Sequence, residues 1–172
     1  MNKISSNNFE TDFKASATKN VFIHRQRDVY IPPQCRTCDK AKIVVPKNPF
    51  DFLLFSPPLL ILAELKSGKQ KSFSFSEKII KEHQIKSLEK SCLYNLIIPG
   101  FIFNFSEINN ETYFLHINDF ISFKNNTSRK SIPYDYIKTE GLFINNKIKK
   151  VNYKYDLEKF IGDVCKKYSL VF

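Results

Sequence analysis

Hydrophobic positions recur along the chain at two spacings, and their order predicts both helices and strands. Near the N-terminus, Phe9, Phe13 and Ala17 lie four residues apart, which predicts an amphipathic helix from Asn7 to about Thr18. The next segment, NVFIHRQRDVYI, alternates as a strand does, and its far end is basic. Further along, NLIIPGFIFNF and TYFLHINDFISF are separated by the turn-prone SEINNE and predict an antiparallel pair of strands.

Two more helices and one long loop follow from local patterns. Ser74 is followed three residues later by Glu77, a capping-box spacing that predicts a helix from this point to about Cys92. Near the C-terminus, YDLEKFIGDVCKKY predicts a closing helix. The stretch PPQCRTCDKAKIVVPKNP has four prolines and no sustained period, so we expect a long loop there. Loops of that length in compact domains tend to be functional or mobile.

The apolar stretch FDFLLFSPPLLILAELKS predicts two core strands joined through its two consecutive prolines. If the strands are antiparallel and the register is centred between those prolines, Asp51 faces Glu64 across the pair. Lys66 lies two residues beyond Glu64 and points to the same side, because side chains alternate along a strand. The sequence therefore predicts two opposed carboxylates with a lysine beside them.

Opposed carboxylates need compensation, because directly paired residues have Cβ atoms roughly 5 Å apart and like charges there destabilise the strands. A hard divalent cation such as Mg²⁺ supplies it by accepting carboxylate oxygens while keeping several waters. Lys66 would then orient water or offset negative charge that develops on a phosphate. The alternative is that these residues only end strands in solvent, with Glu64 paired to Lys66 or Lys69.

The order of elements is helix, strand, loop, strand, strand, helix, strand, strand, helix, which predicts an α/β fold with a mixed sheet flanked by helices. A doubly wound parallel fold is not expected, because the connection from Ser56 to Pro58 is too short for a crossover. A chain of 172 residues fits one domain, spanning residues 1–172.

Charge indicates a polyanionic partner. The chain has 27 Lys and Arg against 17 Asp and Glu, a net charge of +10, which favours nucleic acid first and an acidic membrane surface second. Each basic residue is equally well explained as a solvated surface charge, but as a set they predict phosphate contacts, and the candidates are Arg25, Arg27, Lys69, Lys71, Arg129, Lys130, Lys149 and Lys150.

The N-terminal segment is polar, and every apolar run ends well before membrane-spanning length. We therefore expect a soluble cytoplasmic protein with no membrane partner. Of the four cysteines, only Cys35 and Cys38 are close in sequence. Tetrahedral zinc needs four ligands, so this lone CxxC supplies half a site unless a symmetric dimer supplies the rest, and we do not expect zinc there.

Several segments in order resemble one family. NPFDFLLFSPPLLILAELKS resembles the core of the PD-(D/E)xK nucleases and, more narrowly, of the RecU-like Holliday junction resolvases, including their phage-type members. NNFETDFKASATKNVFIHRQRD is similar to that family's opening helix and strand, and EKIIKEHQIKSLEK to its helix with a His-Gln pair. SRKSIPYDYIKTEG and VNYKYDLEKF look like the tail of the phage-type members. The resemblance covers about Asn8 to Phe160.

The resemblance implies a restriction-endonuclease-like mixed β-sheet flanked by helices, with roles for individual residues. Asp51 and Glu64 would be metal ligands, Lys66 the catalytic lysine, and Glu10 on the first helix an additional acidic contributor. From the residues alone, an ion pair with Lys14 explains Glu10 as well.

Gln84 shares a helical line with the apolar residues Ile80 and Leu88, so it points inward and needs a partner. The resemblance implies that Gln84 reaches the active site; a satisfied core glutamine is the alternative.

As a whole, the resemblance implies a Mg²⁺-dependent DNA endonuclease, with Mn²⁺ as an alternative metal, that resolves four-way junctions or other branched DNA as a homodimer. Two departures from the family's pattern concern the substrate: the stalk-like loop at about residues 30–49 is short and contains CRTC, and the usual Thr-Asp is replaced by Pro49-Phe50-Asp51. A nuclease with another DNA target and a DNA-binding protein without cleavage therefore stay open as alternatives.

Overall fold

The computed structural model describes residues 6–26 and 48–168. Its helices are α1 (Ser6–Lys14), α2 (Glu82–Ser91), α3 (Ile117–Asn126), α4 (Tyr134–Glu140) and α5 (Leu157–Lys167). Its strands are β1 (Phe22–Arg25), β2 (Phe52–Ser56), β3 (Leu59–Gly68), β4 (Ser72–Ser74), β5 (Ile97–Phe105), β6 (Glu111–His116), β7 (Ser131–Pro133), β8 (Leu142–Phe143), β9 (Asn146–Lys149) and β10 (Asn152–Tyr155).

A six-stranded sheet in the order β1-β2-β3-β5-β6-β8 forms the centre of the fold. β3 and β5 are parallel, and the other neighbours in the sheet are antiparallel. A parallel pair needs a long connection, and α2 lies within the one that joins β3 to β5. Two small sheets, β4 with β7 and β9 with β10, lie outside this sheet. The predicted mixed sheet flanked by helices is confirmed.

The sheet separates two hydrophobic clusters. On one side, here called the back face, Phe13 of α1, Phe160 of α5 and Tyr155 of β10 pack together. On the other, here called the site face, Leu88 of α2 and Phe120 of α3 pack in the second cluster. β5 is buried along nearly its whole length, which explains why its sequence is a continuous apolar run rather than an alternating one.

The predicted register of the β2–β3 hairpin is confirmed. Phe55 pairs with Leu60 and Phe52 with Ala63, so the register is centred between the two prolines, whose peptide bond is cis. Extending it by one residue places Asp51, which precedes β2, opposite Glu64 on β3. Both therefore lie at the same side of the hairpin.

The predicted start of the second long helix is wrong. Ser74 ends β4, which pairs with β7, and α2 begins only at Glu82. Two other side chains accept the free backbone N–H groups at the start of α2. Gln84 Oε1 accepts the N–H of Lys81, and Glu77 Oε2 accepts the N–H of Glu82. A capping-box spacing at Ser74 is thus overridden by strand pairing with a distant part of the chain.

The strand predicted for TYFLHINDFISF is correct in its first half only. β6 pairs with β5 as expected but ends at His116, where the chain continues as α3. The ring of His116 accepts the N–H of Asn118, and Asp119 lies in the first helical turn, so this helix start is stabilised by its own cap and charge. The closing helix is confirmed as α5.

Several predictions fall outside the described residues. The loop at about 30–49 does so except for its last two positions, as do Arg27, Cys35 and Cys38. Of the helices in ranges 6–26 and 48–168, none is long and apolar enough to cross a membrane.

Gly100 in β5 provides a test of the packing between strands. A Cβ at this position would lie 2.4 Å from the carbonyl oxygen of Leu115 and 2.7 Å from ring atoms of Phe114. We expect Gly100→Ala to lower the free energy of unfolding by roughly 1–3 kcal/mol in urea denaturation, the usual cost of overpacking. Gly162→Ala in α5 is the matched control.

A Cβ at Gly162 meets nothing within 4 Å, and alanine is favoured over glycine inside a helix by about 0.5–1 kcal/mol. The control should therefore be as stable as the wild type or more so. Unchanged stability of Gly100→Ala would contradict the close approach of β5 to β6.

Candidate active site

Four side chains of the β2–β3 hairpin and α2 meet on the site face. Glu64 and Lys66 lie two residues apart on β3 and so point the same way, while Asp51 is brought opposite by the register. Gln84, in the first turn of α2, is buried and reaches down to β3. The sequence predicted each of these four residues, and the structure brings them together.

Glu64 is at the centre of this group, and its side chain is only 2% exposed. Its Oε1 accepts hydrogen bonds from Lys66 Nζ at 2.8 Å and from Gln84 Nε2 at 2.5 Å. Lys66 Nζ also lies 3.4 Å from Gln84 Oε1, which closes a triangle of polar contacts. The second carboxylate oxygen, Oε2, is buried and has no hydrogen-bond partner within the part of the chain that the structure describes.

Asp51 is fixed from the neighbouring strand. Its Oδ2 accepts the backbone N–H of Leu65 at 3.0 Å. The carboxylate is thus held against β3 between the positions of Glu64 and Lys66, rather than extending into solvent. The alternative reading is correct in pairing Glu64 with Lys66. It is wrong in placing Glu64 in solvent, because that carboxylate is buried and Asp51 is half-buried.

The environment disfavours a charged Glu64. Burial raises the pKa of its carboxyl from the ordinary value of 4.5 to about 7, with the charge of Asp51 adding to the rise and the ammonium of Lys66 opposing it. The repulsion expected from the opposed carboxylates is therefore present, and Lys66 offsets only part of it.

A hard divalent cation fits these residues. The buried Oε2 of Glu64 lacks a partner among the described residues, and a carboxylate oxygen in that situation is a ligand that Mg²⁺ accepts. The described ranges contain no group of three His, Cys, Asp or Glu side chains arranged for a metal. An ion here would have Asp51 and Glu64 as its carboxylate ligands and keep water at other positions, as Mg²⁺ usually does.

Glu10 lies at the edge of this group. It lines a cavity of about 200 Å³ together with Lys66, at the junction of α1 and β3. Its carboxylate pairs with Arg25 of β1 at 2.5 Å. The structure thus places Glu10 beside the site, and it occupies Arg25, one of the predicted phosphate contacts, with an internal partner.

Lys78 was missed by the sequence reasoning. It lies in the turn before α2, is exposed, and lines the same cavity as Glu10 and Lys66. No ion pair joins its ammonium to any described residue. The interpretation of residues 74–92 as one helix gave no reason to place Lys78 at the site. Knowledge that a strand ends at Ser74 would have placed Lys78 in the turn that leads to α2.

The other predicted phosphate contacts are scattered. Lys69 pairs with Glu107 at 3.0 Å, and both side chains are mostly exposed. Lys71 and Lys130 flank opposite ends of the β4–β7 sheet, since their carbonyl oxygens accept the N–H groups of Tyr134 and Phe75. The remaining described candidates are also exposed: Arg129 precedes β7, and Lys149 and Lys150 belong to the β9–β10 hairpin.

Comparison with known proteins finds a matching family model, a similar protein sequence and a similar solved structure. A family model described as RecU, Recombination protein U, matches residues 50–159. The SPbeta prophage-derived uncharacterized protein YotM of Bacillus subtilis (strain 168) is 41% identical over 166 residues, which cover 90% of this chain and 83% of YotM. Among solved structures, Archaeoglobus fulgidus Hjc, titled a Holliday junction resolvase from an archaeal hyperthermophile, matches with a TM-score of 0.47 and 11% identity, over 72% of this chain and 83% of Hjc.

The buried carboxylate predicts an unusual effect on stability. Because the folded-state pKa of Glu64 lies above its ordinary value, the folded protein holds an extra proton between pH 4.5 and about 7, and stability falls as the pH rises through that window. Glu64→Gln, which mimics the protonated form, should raise the unfolding free energy by about 1–3 kcal/mol at pH 8 in EDTA and by much less at pH 5. Urea denaturation at both pH values measures this.

Glu111→Gln is the control, because its carboxylate has the opposite environment. Burial pushes the pKa of Glu111 upward, but hydrogen bonds from Tyr113 and Tyr134 and the charge of Lys138 outweigh it and leave the pKa below its ordinary value. The same substitution there should destabilise the protein at pH 8. If Glu64→Gln also destabilises it, the buried carboxylate is a net stabilising group and the argument fails.

Proposed function

This chain belongs to the RecU family, Recombination protein U, and from that premise we propose that it is a divalent-metal-dependent DNA endonuclease that resolves four-way (Holliday) junctions. The observation that carries the proposal is the buried Glu64 carboxylate beside Asp51. One of its oxygens is held by Lys66 and Gln84, and the other has no hydrogen-bond partner among the described residues. A structural role alone does not explain why a chain would retain two neighbouring acids at such a cost.

In the proposed reaction Asp51 and Glu64 hold the ion, Mg²⁺ or alternatively Mn²⁺. Such an ion, when bound, makes water a better nucleophile at neutral pH and stabilises charge on a phosphate. Asp51 contributes a carboxylate whose direction is fixed by the N–H of Leu65. Glu64 contributes one whose direction is fixed by its two donors, so the two ligands are preorganised.

Lys66 is the proposed catalytic lysine. Its ammonium is tied to Glu64 Oε1 at 2.8 Å and is only 14% exposed, so it keeps a defined position beside the ligands. From there it would hold the attacking water and offset the negative charge that develops on the phosphate. Gln84 is a positioning residue, because it acts on the reaction through Glu64 and Lys66. Glu10 is proposed to contribute an acid near the ion, through the cavity that it shares with Lys66.

The DNA backbone is proposed to approach the site through this cavity. Lys78 lines it and forms no ion pair with a described residue, so it is a candidate phosphate contact. The net charge of +10 supports a polyanionic substrate in general. Family membership supports a four-way junction as that substrate. We propose that two copies of the chain act together, because a two-fold dimer presents paired sites to opposing strands of a junction.

Cleavage of a labelled four-way junction, beside a linear duplex of the same sequence, tests the proposal. With Mg²⁺ we expect paired nicks in the junction alone, no nicks in EDTA, and a loss of at least about 100-fold in rate for Asp51→Asn and for Lys66→Ala. Glu89→Gln, an acid-to-amide change on the exposed side of α2, should cut as the wild type does.

Each other outcome is informative. Equal cutting of both substrates keeps a nuclease and removes junction selectivity. Tight junction binding without cutting, in Mg²⁺ and in Mn²⁺, removes the enzyme and leaves a DNA-binding protein.

Metal binding can be measured without DNA. Ligands that bind only the folded state raise the unfolding temperature, so Mg²⁺ or Mn²⁺ should raise that of the wild type in a thermal-shift experiment. Asp51→Asn and Glu64→Gln should show little or no rise at the same ion concentration, whereas Glu89→Gln should match the wild type. An equal rise in all four proteins would place any bound ion elsewhere.

A further inference from the structure

The β9–β10 hairpin is paired along its length and plays no part in the proposed reaction. Its inner face packs on the protein, since Tyr155 is buried and Tyr153 partly so. One side chain of α1 and one just after it hold the hairpin backbone: Asp12 Oδ2 accepts the N–H of Tyr153 at 2.8 Å, and Ser16 Oγ accepts the N–H of Tyr155 at 2.9 Å. The hairpin is thereby docked against α1, whose core residues lie on the back face of the sheet.

The outer face of the hairpin concentrates positive charge. Lys154 pairs directly with Lys147, and Lys149 pairs with Asn152 two positions away on the same side. We call the three lysines on this face, Lys147, Lys149 and Lys154, the lysine face. All three are exposed. Like charges directly opposed across two strands destabilise the pair, and no ion pair to the described residues relieves them.

The lysine face also lines a surface pocket of about 390 Å³ at the start of α5. The two acids of that pocket are engaged elsewhere. Asp156 Oδ1 accepts the N–H of Lys159 at 3.1 Å as the cap of α5, and Glu158 Oε1 accepts a hydrogen bond from the side chain of Asn20 at 3.2 Å. Both acids keep their charge, but neither forms an ion pair with the three ammonium groups, nor does any other acid of the described residues. The repulsion between the opposed lysines is therefore not relieved by a direct contact, and an external anion would relieve it.

We propose that the lysine face binds the sugar–phosphate backbone of a duplex arm of the DNA substrate. This is a second contact, separate from the cavity lined by Glu10, Lys66 and Lys78, and it rests on the proposed function. Lysines two residues apart along β9 are about 7 Å from each other, and a duplex offers phosphates densely enough to meet each of them. Such a contact reads no sequence. The lysine face itself carries only lysines and an asparagine, which suits a phosphate backbone better than a protein interface. The exposed apolar side chains of the hairpin, Ile148 and Val151, lie on its other face and in its turn.

The position of the hairpin separates this contact from catalysis. The Glu64 group lies on the site face under α2, whereas the hairpin packs on α1 with the back-face cluster. In this proposal, DNA that touches the lysine face is a different segment from the one at the cavity of Glu10, Lys66 and Lys78. A branched substrate supplies such a segment in its arms.

The test removes the three charges in the full-length chain. Lys147→Gln, Lys149→Gln and Lys154→Gln are combined in one variant, and Lys86→Gln, Lys90→Gln and Lys166→Gln form a control with the same change of charge on exposed helix surfaces. Binding of a four-way junction is measured in EDTA at several salt concentrations. The slope of log affinity against log salt is negative, and each phosphate contact contributes about −0.9 to it.

We expect the hairpin variant to make that slope less negative by about 2 to 3 and the control to leave it near the wild-type value. Equal slopes for the two variants would overturn the proposal, because the effect would then be one of net charge. The hairpin variant should unfold at the wild-type temperature or above it at low salt, since the opposed lysines repel each other. A lower unfolding temperature would show that these lysines serve the fold, and would also overturn it.

The two proposals fail separately. If the wild type cuts junctions in Mg²⁺ but the hairpin variant keeps the wild-type salt slope, the lysine face is not a DNA contact and the nuclease stands. If the wild type cuts no DNA but the hairpin variant alone loses salt-dependent binding, the lysine face is a DNA contact and the nuclease proposal falls.

Discussion

A single carboxylate, that of Glu64, sets the requirements that the surrounding structure meets. Buried beside Asp51, it can keep its charge only with donors on one side, and those donors come from two different elements: Lys66 from β3 and Gln84 from α2. These contacts therefore depend together on the hairpin register, the direction of β3 and the starting point of α2. The site is a property of the packing between the central sheet and α2, more than of any local motif.

The sheet explains how so short a chain holds this arrangement. β5 lies beside β3 in parallel and is buried along nearly its full length, so the strand that carries Glu64 and Lys66 is supported along its side by an apolar neighbour. The parallel pair requires a crossover, and that crossover contains α2. The same connection that builds the sheet thus also delivers Gln84 to the carboxylate.

Much of this was predictable from the sequence, for physical reasons. The two prolines fix where the hairpin turns, and alternation then dictates that Asp51, Glu64 and Lys66 share a side. Helical spacing shows that Gln84 points inward. The start of α2 was not predictable, because Ser74 pairs with β7 from far along the chain and no local pattern records that pairing. The short strands β7 and β8 were missed for the same reason, because they pair with β4 and β6 from other parts of the chain. Lys78 was missed along with the start of α2.

The side chain of Gln84 joins the start of α2 to the Glu64 carboxylate, and this double role restricts which residues position 84 can hold. Its side-chain oxygen accepts the N–H of Lys81 at the start of α2, while its nitrogen donates to Glu64. Position 84 consequently has very little evolutionary freedom: the side chain must be long, uncharged, and both acceptor and donor at its tip. Glutamate would add a third acid to a crowded pair, and lysine would leave the backbone N–H without its acceptor. Loss of this side chain would remove one hydrogen bond at the start of α2 and one at the proposed active site together.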